Sequence, residues 1–162
     1  MVCSLSCSIS AVFIIGMIYF YNSANKTTTV KQYRQQLSPQ QKAVYDKISA
    51  ERLKISLQGY GLGFLLSLFI IYYNYQKTHK LRSTSMVCIV LATSFLTNYF
   101  YYILSPKTDW MLYHIDQTQG PEAQAKQTHA WLQMYRTMQF YYHAGLVLGI
   151  LGVGILAFAF RC

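Results

Sequence analysis

Uncharged, largely apolar stretches alternate with polar stretches along this chain. Four windows contain no Asp, Glu, Lys or Arg, namely residues 1–25, 55–76, 83–106 and 137–160. Each window is long enough for a helix that crosses a bilayer, which takes about 20 residues. The predicted membrane spans lie at about residues 5–22, 55–76, 86–104 and 142–160. A signal peptide has basic residues before its apolar run. None precedes this first run, so we expect it to be a membrane anchor.

The polar segment before the second span carries the signals of a helix start. Ser38 suits the N-cap, Pro39 suits the first helical position, and Gln41 can complete a capping box. Apolar residues then recur at helical intervals, and no proline follows before Pro106. This pattern predicts one helix from 39 to about 76, which is about 57 Å long and lies half outside the lipid. Residues 22–37, by contrast, are polar and poor in helix formers, which predicts an extended connector.

The second half of the chain repeats this plan. A polar and aromatic connector at 107–119 follows the third span, and Gly120-Pro121-Glu122 starts a second long helix that runs to about 160. With four spans, segments 23–54 and 105–141 lie on the same side of the membrane. We therefore predict a single all-α domain over 1–162, an integral membrane bundle of about four helices. Two of these helices extend into a small ectodomain.

Composition agrees with a membrane protein, because 53% of the residues are hydrophobic and only 12% are charged. The net charge is +9, and seven basic residues lie in 22–54, whereas the purely basic turn 77–82 lies on the opposite side. These two counts favour opposite orientations under the positive-inside rule, so both orientations stay open. The basic residues of 22–54 are dispersed and interrupted by acids, so we do not expect nucleic acid as a partner. The four cysteines show no CxxC or metal-binding spacing, and no disulfide framework is expected.

Glycines mark where the spans are expected to pack. Small residues let membrane helices approach closely, and Gly145 and Gly149 have the small-xxx-small spacing. The helix-packing candidates are Gly61 and Gly63 in the second span and Gly145, Gly149 and Gly152 in the fourth.

Candidate chemistry is sparse. The spans carry no acidic residue, Lys or Arg, which argues against a pump, a proton relay or an intramembrane hydrolase, since such groups are costly in lipid and mark function. We predict no catalytic residue, cofactor or metal, and hence no enzyme. A membrane-bound enzyme remains an alternative if His114, His129 and His143 converge with Asp109 or Asp116. A channel or transporter is the other alternative, in which polar span residues line one cavity. Those polar residues are Gln58, Ser67, Ser94, Thr97 and Asn98.

Aromatic residues gather at the span ends, as in the aromatic belts of membrane proteins. Further aromatic residues, together with methionine and arginine, lie in segments that we expect to be exposed to water. These can either pack the ectodomain or face a partner, since protein contacts favour Trp, Tyr, Met and Arg. The partner-contact candidates are Tyr33, Tyr45, Trp110, Tyr113, Trp131, Met134, Tyr135 and Arg136.

Three stretches carry a resemblance to a known class of protein. They are QQLSPQQKAVYDKISAERLKISLQGYGLG at 35–63, SPKTDWMLYHIDQ at 105–117, and the C-terminal block from HAWLQMYRTMQFYYHAG onward at 129–162. Together they resemble small multi-spanning proteins of large nucleocytoplasmic DNA viruses, which carry an internal membrane beneath an icosahedral shell. The resemblance implies a structural protein of the virion internal membrane, derived from host endomembrane. It implies a minor capsid component that ties capsid or other virion proteins to the bilayer, with self-association as a further option.

Overall fold

The computed structural model describes residues 3–77, 83–115 and 120–160, and every regular element in these ranges is helical. Five α-helices and one short 3₁₀ helix follow one another within the described residues. The helices are α1 (Ser4–Ala24), α2 (Thr28–Gln36), α3 (Pro39–Gln76), α4 (Ser83–Leu104), the 3₁₀ helix (Met111–His114) and α5 (Pro121–Ala159). Four of the helical stretches are long and apolar enough to cross a membrane. The predicted all-α membrane bundle is thereby confirmed.

The long helix α3 begins as its sequence predicts. The Ser38 hydroxyl accepts a hydrogen bond from the Gln41 N–H at 3.3 Å, and the Gln41 side chain accepts one from the Ser38 N–H at 3.1 Å. This reciprocal capping box, with Pro39 at the first helical position, satisfies backbone donors that the helix itself leaves unpaired. At 38 residues α3 is about 57 Å long, roughly twice the thickness of the hydrocarbon core. The 39-residue helix α5 has a similar length and runs parallel to α3, since Tyr45 lies against Met138, Tyr60 against Gly149 and Tyr75 against Phe160.

The predicted extended connector between α1 and α3 is wrong, because Thr28–Gln36 forms helix α2. The Thr27 hydroxyl caps this helix by accepting a hydrogen bond from the Val30 N–H at 3.4 Å. Val30 and Tyr33, three residues apart, are buried on one face, and Leu37 packs beside them. Tertiary burial of this face outweighs the weak helix propensity of the threonine-rich sequence.

The membrane-spanning part is a bundle in which α1 packs along α5, α5 along α4, and α4 along α3. Its interior, here called the membrane core, includes Met17, Tyr21, Tyr60, Val90 and Val153. The outward faces of the same helices expose large apolar side chains, for example Ile15, Phe69 and Leu104 at 65%, 67% and 77% exposure. Such surfaces suit contact with lipid, as expected for an integral membrane protein.

A second buried cluster, here called the ectodomain core, lies beyond the membrane-spanning segments. It joins α2, the first turns of α3, the 3₁₀ helix and the first half of α5. Its buried members are Val30, Tyr33, Tyr45, Met111, Trp131, Met134 and Met138. The segments outside the membrane thus have a hydrophobic interior of their own.

The cysteines differ from expectation in one respect. Cys3 is disulfide-bonded, although the cysteine spacing did not predict a disulfide. Cys7 and Cys88 carry free thiols. The Cys3 N–H also donates to the Ala159 carbonyl at 2.9 Å, so the start of α1 is bonded to the end of α5.

Candidate functional site

The connector between α4 and α5, described here over residues 105–115, is fixed to α3 by one acid–base pair. The Arg52 guanidinium donates to Glu51 Oε2 at 3.0 Å and to the Asp109 carbonyl at 2.8 Å, and it lies 4.8 Å from the centre of the Trp110 ring. Glu51 Oε1 in turn accepts from the Thr108 N–H at 3.1 Å. The side chains of Arg52 and Glu51 are only 11% and 20% exposed. A partly buried guanidinium with two acceptors and an aromatic face is held firmly, so this connector has a defined position.

A second cation closes the end of α4. Lys107 Nζ donates to the carbonyls of Tyr102 at 2.5 Å and Ser105 at 3.0 Å, and it lies 4.7 Å from the Tyr102 ring centre. These are carbonyls that a helix C-terminus leaves without internal partners. Burial lowers the pKa of the Lys107 ammonium, and the nearby Arg52 lowers it further. Lys107 therefore acts as a helix cap, with its charge turned toward the protein.

The described part of the connector also contains a carboxylate–imidazole pair. His114 Nε2 and Asp109 Oδ2 are 2.8 Å apart, and Asp109 Oδ1 accepts from the Trp110 N–H at 2.8 Å. The hydrogen bond from His114 holds the pKa of Asp109 below its ordinary value, and the Trp110 N–H adds to this effect. Gln41 Nε2 donates to the His114 carbonyl at 2.9 Å, which ties the pair to the capping box of α3. The role of this pair is to fold the connector.

The three histidines considered for a metal or catalytic site do not converge on one point. His129 and His143 are both exposed on α5, about 21 Å apart along the helix axis at 1.5 Å per residue. His143 Nδ1 is 2.7 Å from the Gln139 carbonyl, a contact within its own helix. Within the described residues no three His, Cys, Asp or Glu side chains are grouped to hold a metal. Asp116 lies outside the described residues.

The polar residues considered for a channel make contacts between α3 and α4. The hydroxyls of Ser67 and Ser94, both almost fully buried, are 2.8 Å apart. Asn98 Nδ2 donates to the Ser56 carbonyl at 3.1 Å, and Gln58 accepts from the Tyr101 hydroxyl at 3.3 Å. Thr97 packs on Gly63 in the same seam. These side chains therefore serve helix pairing, a common use of polar groups in membrane bundles.

Four of the five packing candidates among the glycines lie in tight helix contacts. A Cβ at Gly145 would lie 2.8 Å from the Tyr21 ring, and one at Gly149 would lie 2.5 Å from Met17 Sδ. At Gly152 it would lie 3.0 Å from Ile14, and at Gly63 3.0 Å from the Ser94 carbonyl oxygen. Gly61 differs, because a Cβ there would meet nothing within 4 Å in the described structure. Gly61 therefore makes no tight contact among the described residues, and its packing role stays a prediction. Gly59, which the sequence did not single out, faces Asn98 and Tyr101 on α4.

The aromatic and methionine candidates divide into interior and surface groups. Tyr33, Tyr45, Trp131 and Met134 are buried in the ectodomain core, and Tyr135 stacks on Trp131 with ring centres 5.0 Å apart. The Tyr45 hydroxyl lies 3.4 Å from Met138 Sδ, and burial raises the pKa of Tyr45 to about 12. The exposed candidates are Trp110, Tyr113 and Arg136. Only this second group presents its side chains to an approaching partner.

A partly open space of about 430 Å³, here called the interfacial cavity, lies where the membrane core meets the ectodomain core. Helices α3, α4 and α5 form most of its walls, α1 contributes Tyr21, and the connector contributes Trp110 and Met111. Its aromatic and thioether lining includes Tyr45, Tyr102, Trp131, Met138 and Tyr142. Tyr142 packs against both cores, and its hydroxyl is buried without a hydrogen-bond partner in the described structure.

Comparison with protein-family models, curated proteins and solved structures finds no match to this chain.

Sequence reasoning missed Arg52, Glu51 and the interfacial cavity. The available signal for the first two was local, since they form an adjacent acid–base pair in the last charged turn before an uncharged span. The cavity had no such signal, because its lining comes from segments that are far apart in sequence.

Proposed function

We propose that this protein is a non-enzymatic structural component of a membrane, which holds a rigid ectodomain at the bilayer surface as the attachment point for a protein shell. The observation that carries this proposal is the ectodomain core together with the Glu51–Arg52 contact to the connector. A segment that only linked two spans would need neither a buried interior nor a partly buried ion pair. A platform that bears a load from another protein needs both.

The surface of the ectodomain offers the contact groups such a role requires. Tyr113 is 74% exposed and Leu112 is 42% exposed, and both project from the 3₁₀ helix of the connector. Arg136 is exposed on α5, on the face away from the buried Trp131 and Met134. Tyrosine and arginine are the residues that most often dominate protein contacts. Because the connector that carries Tyr113 already has a defined position, binding of a partner would cost little conformational entropy there.

The proposed partner is the capsid shell of a large DNA virus, and the proposed location is the virion internal membrane that lies beneath it. This specific form of the proposal rests on the resemblance of 35–63, 105–117 and 129–162 to small membrane proteins of such virions. In this arrangement the spans hold the bilayer, and the ectodomain sets the distance between bilayer and shell. Self-association of the chain would place several such contacts side by side.

Lysine crosslinking followed by mass spectrometry on intact native particles tests this proposal. The exposed ectodomain lysines Lys31, Lys47 and Lys126 are the reporters, and Lys77 at the opposite end of α3 is the internal control. Lys107 should react poorly, since its ammonium group is bonded to backbone carbonyls. Crosslinks from the reporters, but not from Lys77, to a shell protein would support the proposal. Crosslinks to shell proteins from Lys77 alone, or from no reporter, would contradict it.

A pair of tyrosine substitutions separates contact with a partner from general damage. Tyr113→Ala removes a side chain that is 74% exposed in the ectodomain, and Tyr19→Ala removes one that is 67% exposed on the membrane-spanning helix α1. We expect Tyr113→Ala to reduce recovery of the protein with the shell several-fold while both variants insert and fold normally. Equal recovery for the two variants would exclude Tyr113 from the contact.

A further inference from the structure

The interfacial cavity is large, apolar and placed at a particular depth. Its volume of about 430 Å³ falls within the range of about 300–1,000 Å³ that is usual for small-molecule sites. Along α5 it extends from Trp131 to Leu146, about 22 Å at 1.5 Å per residue. On α4 its lining runs from Phe95, near mid-span, to Ile103 at the outer end. The cavity thus begins inside the expected hydrocarbon region and ends among ectodomain residues.

The cavity has a lateral side that faces the lipid. Phe95, Tyr99 and Ile103 line it from α4 and are themselves 47%, 49% and 52% exposed. Gln139 and His143 line it from α5 and are also exposed. These residues mark an opening between α4 and α5 on the outer surface of the bundle. Deeper in the membrane the two helices close together, where Gly154 lies against Leu91.

Water is a poor occupant for this space. At about 30 Å³ per molecule the cavity would hold roughly fourteen waters, each of which needs two to four polar partners. Two strongly polar side chains of the wall are engaged already. Arg52 is bonded to Glu51 and to the Asp109 carbonyl, and Asn98 is bonded to the Ser56 carbonyl.

One buried polar atom of the wall lacks a partner among the described residues. The Tyr142 hydroxyl is buried and makes no hydrogen bond in the described structure. A buried hydroxyl without a partner is unfavourable, and an uncharged oxygen on a ligand would satisfy it. The one guanidinium in the wall is already paired with a carboxylate, which disfavours an anionic headgroup.

We infer that the interfacial cavity binds one uncharged amphiphile from the adjacent leaflet, with its apolar body between α4 and α5 and a hydroxyl or carbonyl oxygen at Tyr142. The apolar body matches the aromatic and methionine walls, and the ligand oxygen satisfies the buried Tyr142 hydroxyl. Two lipid classes supply this chemistry, namely sterols and neutral acylglycerols. The bound molecule would fill the junction between the two cores and stiffen the ectodomain on its membrane base. This inference depends on the cavity alone and not on the identity of the shell partner.

Photo-crosslinking of the full-length protein in vesicles tests the inference. Diazirine-bearing sterol and diazirine-bearing diacylglycerol are incorporated separately at low mole fraction, and labelled peptides are mapped by mass spectrometry. We expect saturable labelling of α4 and α5 peptides that line the cavity. Competition by unlabelled sterol would assign the sterol, and competition by unlabelled diacylglycerol would assign the acylglycerol. Labelling that does not saturate and spreads over all lipid-facing helices would overturn the inference.

Two leucines of α5 provide a matched pair of variants. Leu146→Trp fills the cavity, whereas Leu151→Trp adds the same ring at a position 42% exposed and outside the cavity lining. Specific labelling should fall at least fivefold in the first variant and stay unchanged in the second. An equal effect in both variants would refute a specific site.

The Tyr142→Phe variant tests the proposed ligand contact without adding a bulky side chain to the protein. It removes only the hydroxyl that lacks a partner, so the empty protein should fold normally. Binding of the assigned lipid should weaken about fivefold, the factor expected for one net hydrogen bond. Unchanged binding in this variant would show that the Tyr142 hydroxyl does not contact the ligand, and would overturn the proposed placement.

Discussion

Substitution of Gly149 by alanine should destabilise the bundle, whereas the same substitution at Gly61 should not. A methyl group at Gly149 would lie 2.5 Å from Met17 Sδ and 2.6 Å from Tyr60 Cε2. Ordinary contacts between such atoms are about 3.5–4.0 Å, so the Met17 thioether and the Tyr60 ring must each be displaced by about 1 Å. The Tyr60 ring cannot shift freely, because its hydroxyl donates to the Gly149 carbonyl at 3.0 Å.

Three contributions set the change in the free energy of unfolding for Gly149→Ala. Overpacking of this kind costs about 1–3 kcal/mol, and a weakened hydrogen bond between membrane helices adds about 0.6 kcal/mol. The better helix propensity of alanine offsets at most about 1 kcal/mol. The free energy of unfolding should therefore fall by about 1–2 kcal/mol in Gly149→Ala. In Gly61→Ala it should stay the same or rise by up to about 1 kcal/mol, since nothing lies within 4 Å of the added methyl.

Unfolding by sodium dodecyl sulfate in mixed micelles, followed by tryptophan fluorescence, measures this difference. The protein's two tryptophans, Trp110 and Trp131, report on the ectodomain. Circular dichroism of the same samples reports on the spans. A Gly149→Ala protein as stable as the parent would refute the predicted contact of α1, α3 and α5. An equal loss in Gly61→Ala would show that any added methyl disturbs the spans, and the packing argument would fail.

Three further predictions concern the connector and the seam between α3 and α4. Arg52→Lys keeps the charge but removes the guanidinium group that holds the connector. Trypsin should therefore cleave the loosened connector after Lys107 several-fold faster. An unchanged cleavage rate would show that other contacts hold the connector. The folded-state pKa of Asp109 is below its ordinary 3.8, so its stabilisation is present above about pH 4 and is lost as the pH falls through that lower value. Emission of the connector tryptophan should therefore shift in acid, and the shift should vanish in Asp109→Asn. Ser67→Ala and Ser94→Ala should each lower the free energy of unfolding by about 0.6 kcal/mol. The double variant should lose little more than either single variant, because the two hydroxyls share one hydrogen bond. Additive losses of stability would contradict the shared bond.

Local sequence signals predicted the long helices well. The start of α3 at Pro39 follows from Ser38 and Gln41, whose capping contacts involve neighbours in sequence. Helix α2 was missed because its stability comes from burial of Val30 and Tyr33 in the ectodomain core, much of which comes from α5, a helix distant in sequence. The three-residue spacing of those two side chains was the available signal.

The glycines show what helix geometry adds to a spacing rule. Successive residues of an α-helix are about 100° apart, so Gly61 and Gly63 point in nearly opposite directions and cannot face the same neighbour. Gly59 and Gly63, four residues apart, share the face that packs on α4. The glycines in the sequence identified the second span as one that packs closely, but they did not show which face of that span lies against α4.

The candidate site was the least predictable part. Whether Tyr45 or Tyr113 is available to a partner depends on how α2, α3 and α5 pack, and their sequence contexts look alike. The structure buries Tyr45 to 6% exposure and leaves Tyr113 at 74%. The interfacial cavity likewise arises only where α3, α4, α5 and the connector meet.

Cysteine accessibility in sealed vesicles tests most directly the central claim, a rigid ectodomain built on one side of the membrane. Single cysteines replace Lys31 in α2, Lys126 in α5 and Lys77 at the far end of α3, and labelling by a membrane-impermeant maleimide is compared with that of the parent chain. We predict that Lys31→Cys and Lys126→Cys label from the same side, and that Lys77→Cys labels from the opposite side. Labelling of Lys31→Cys and Lys126→Cys from opposite sides, or of all three from one side, would contradict the account.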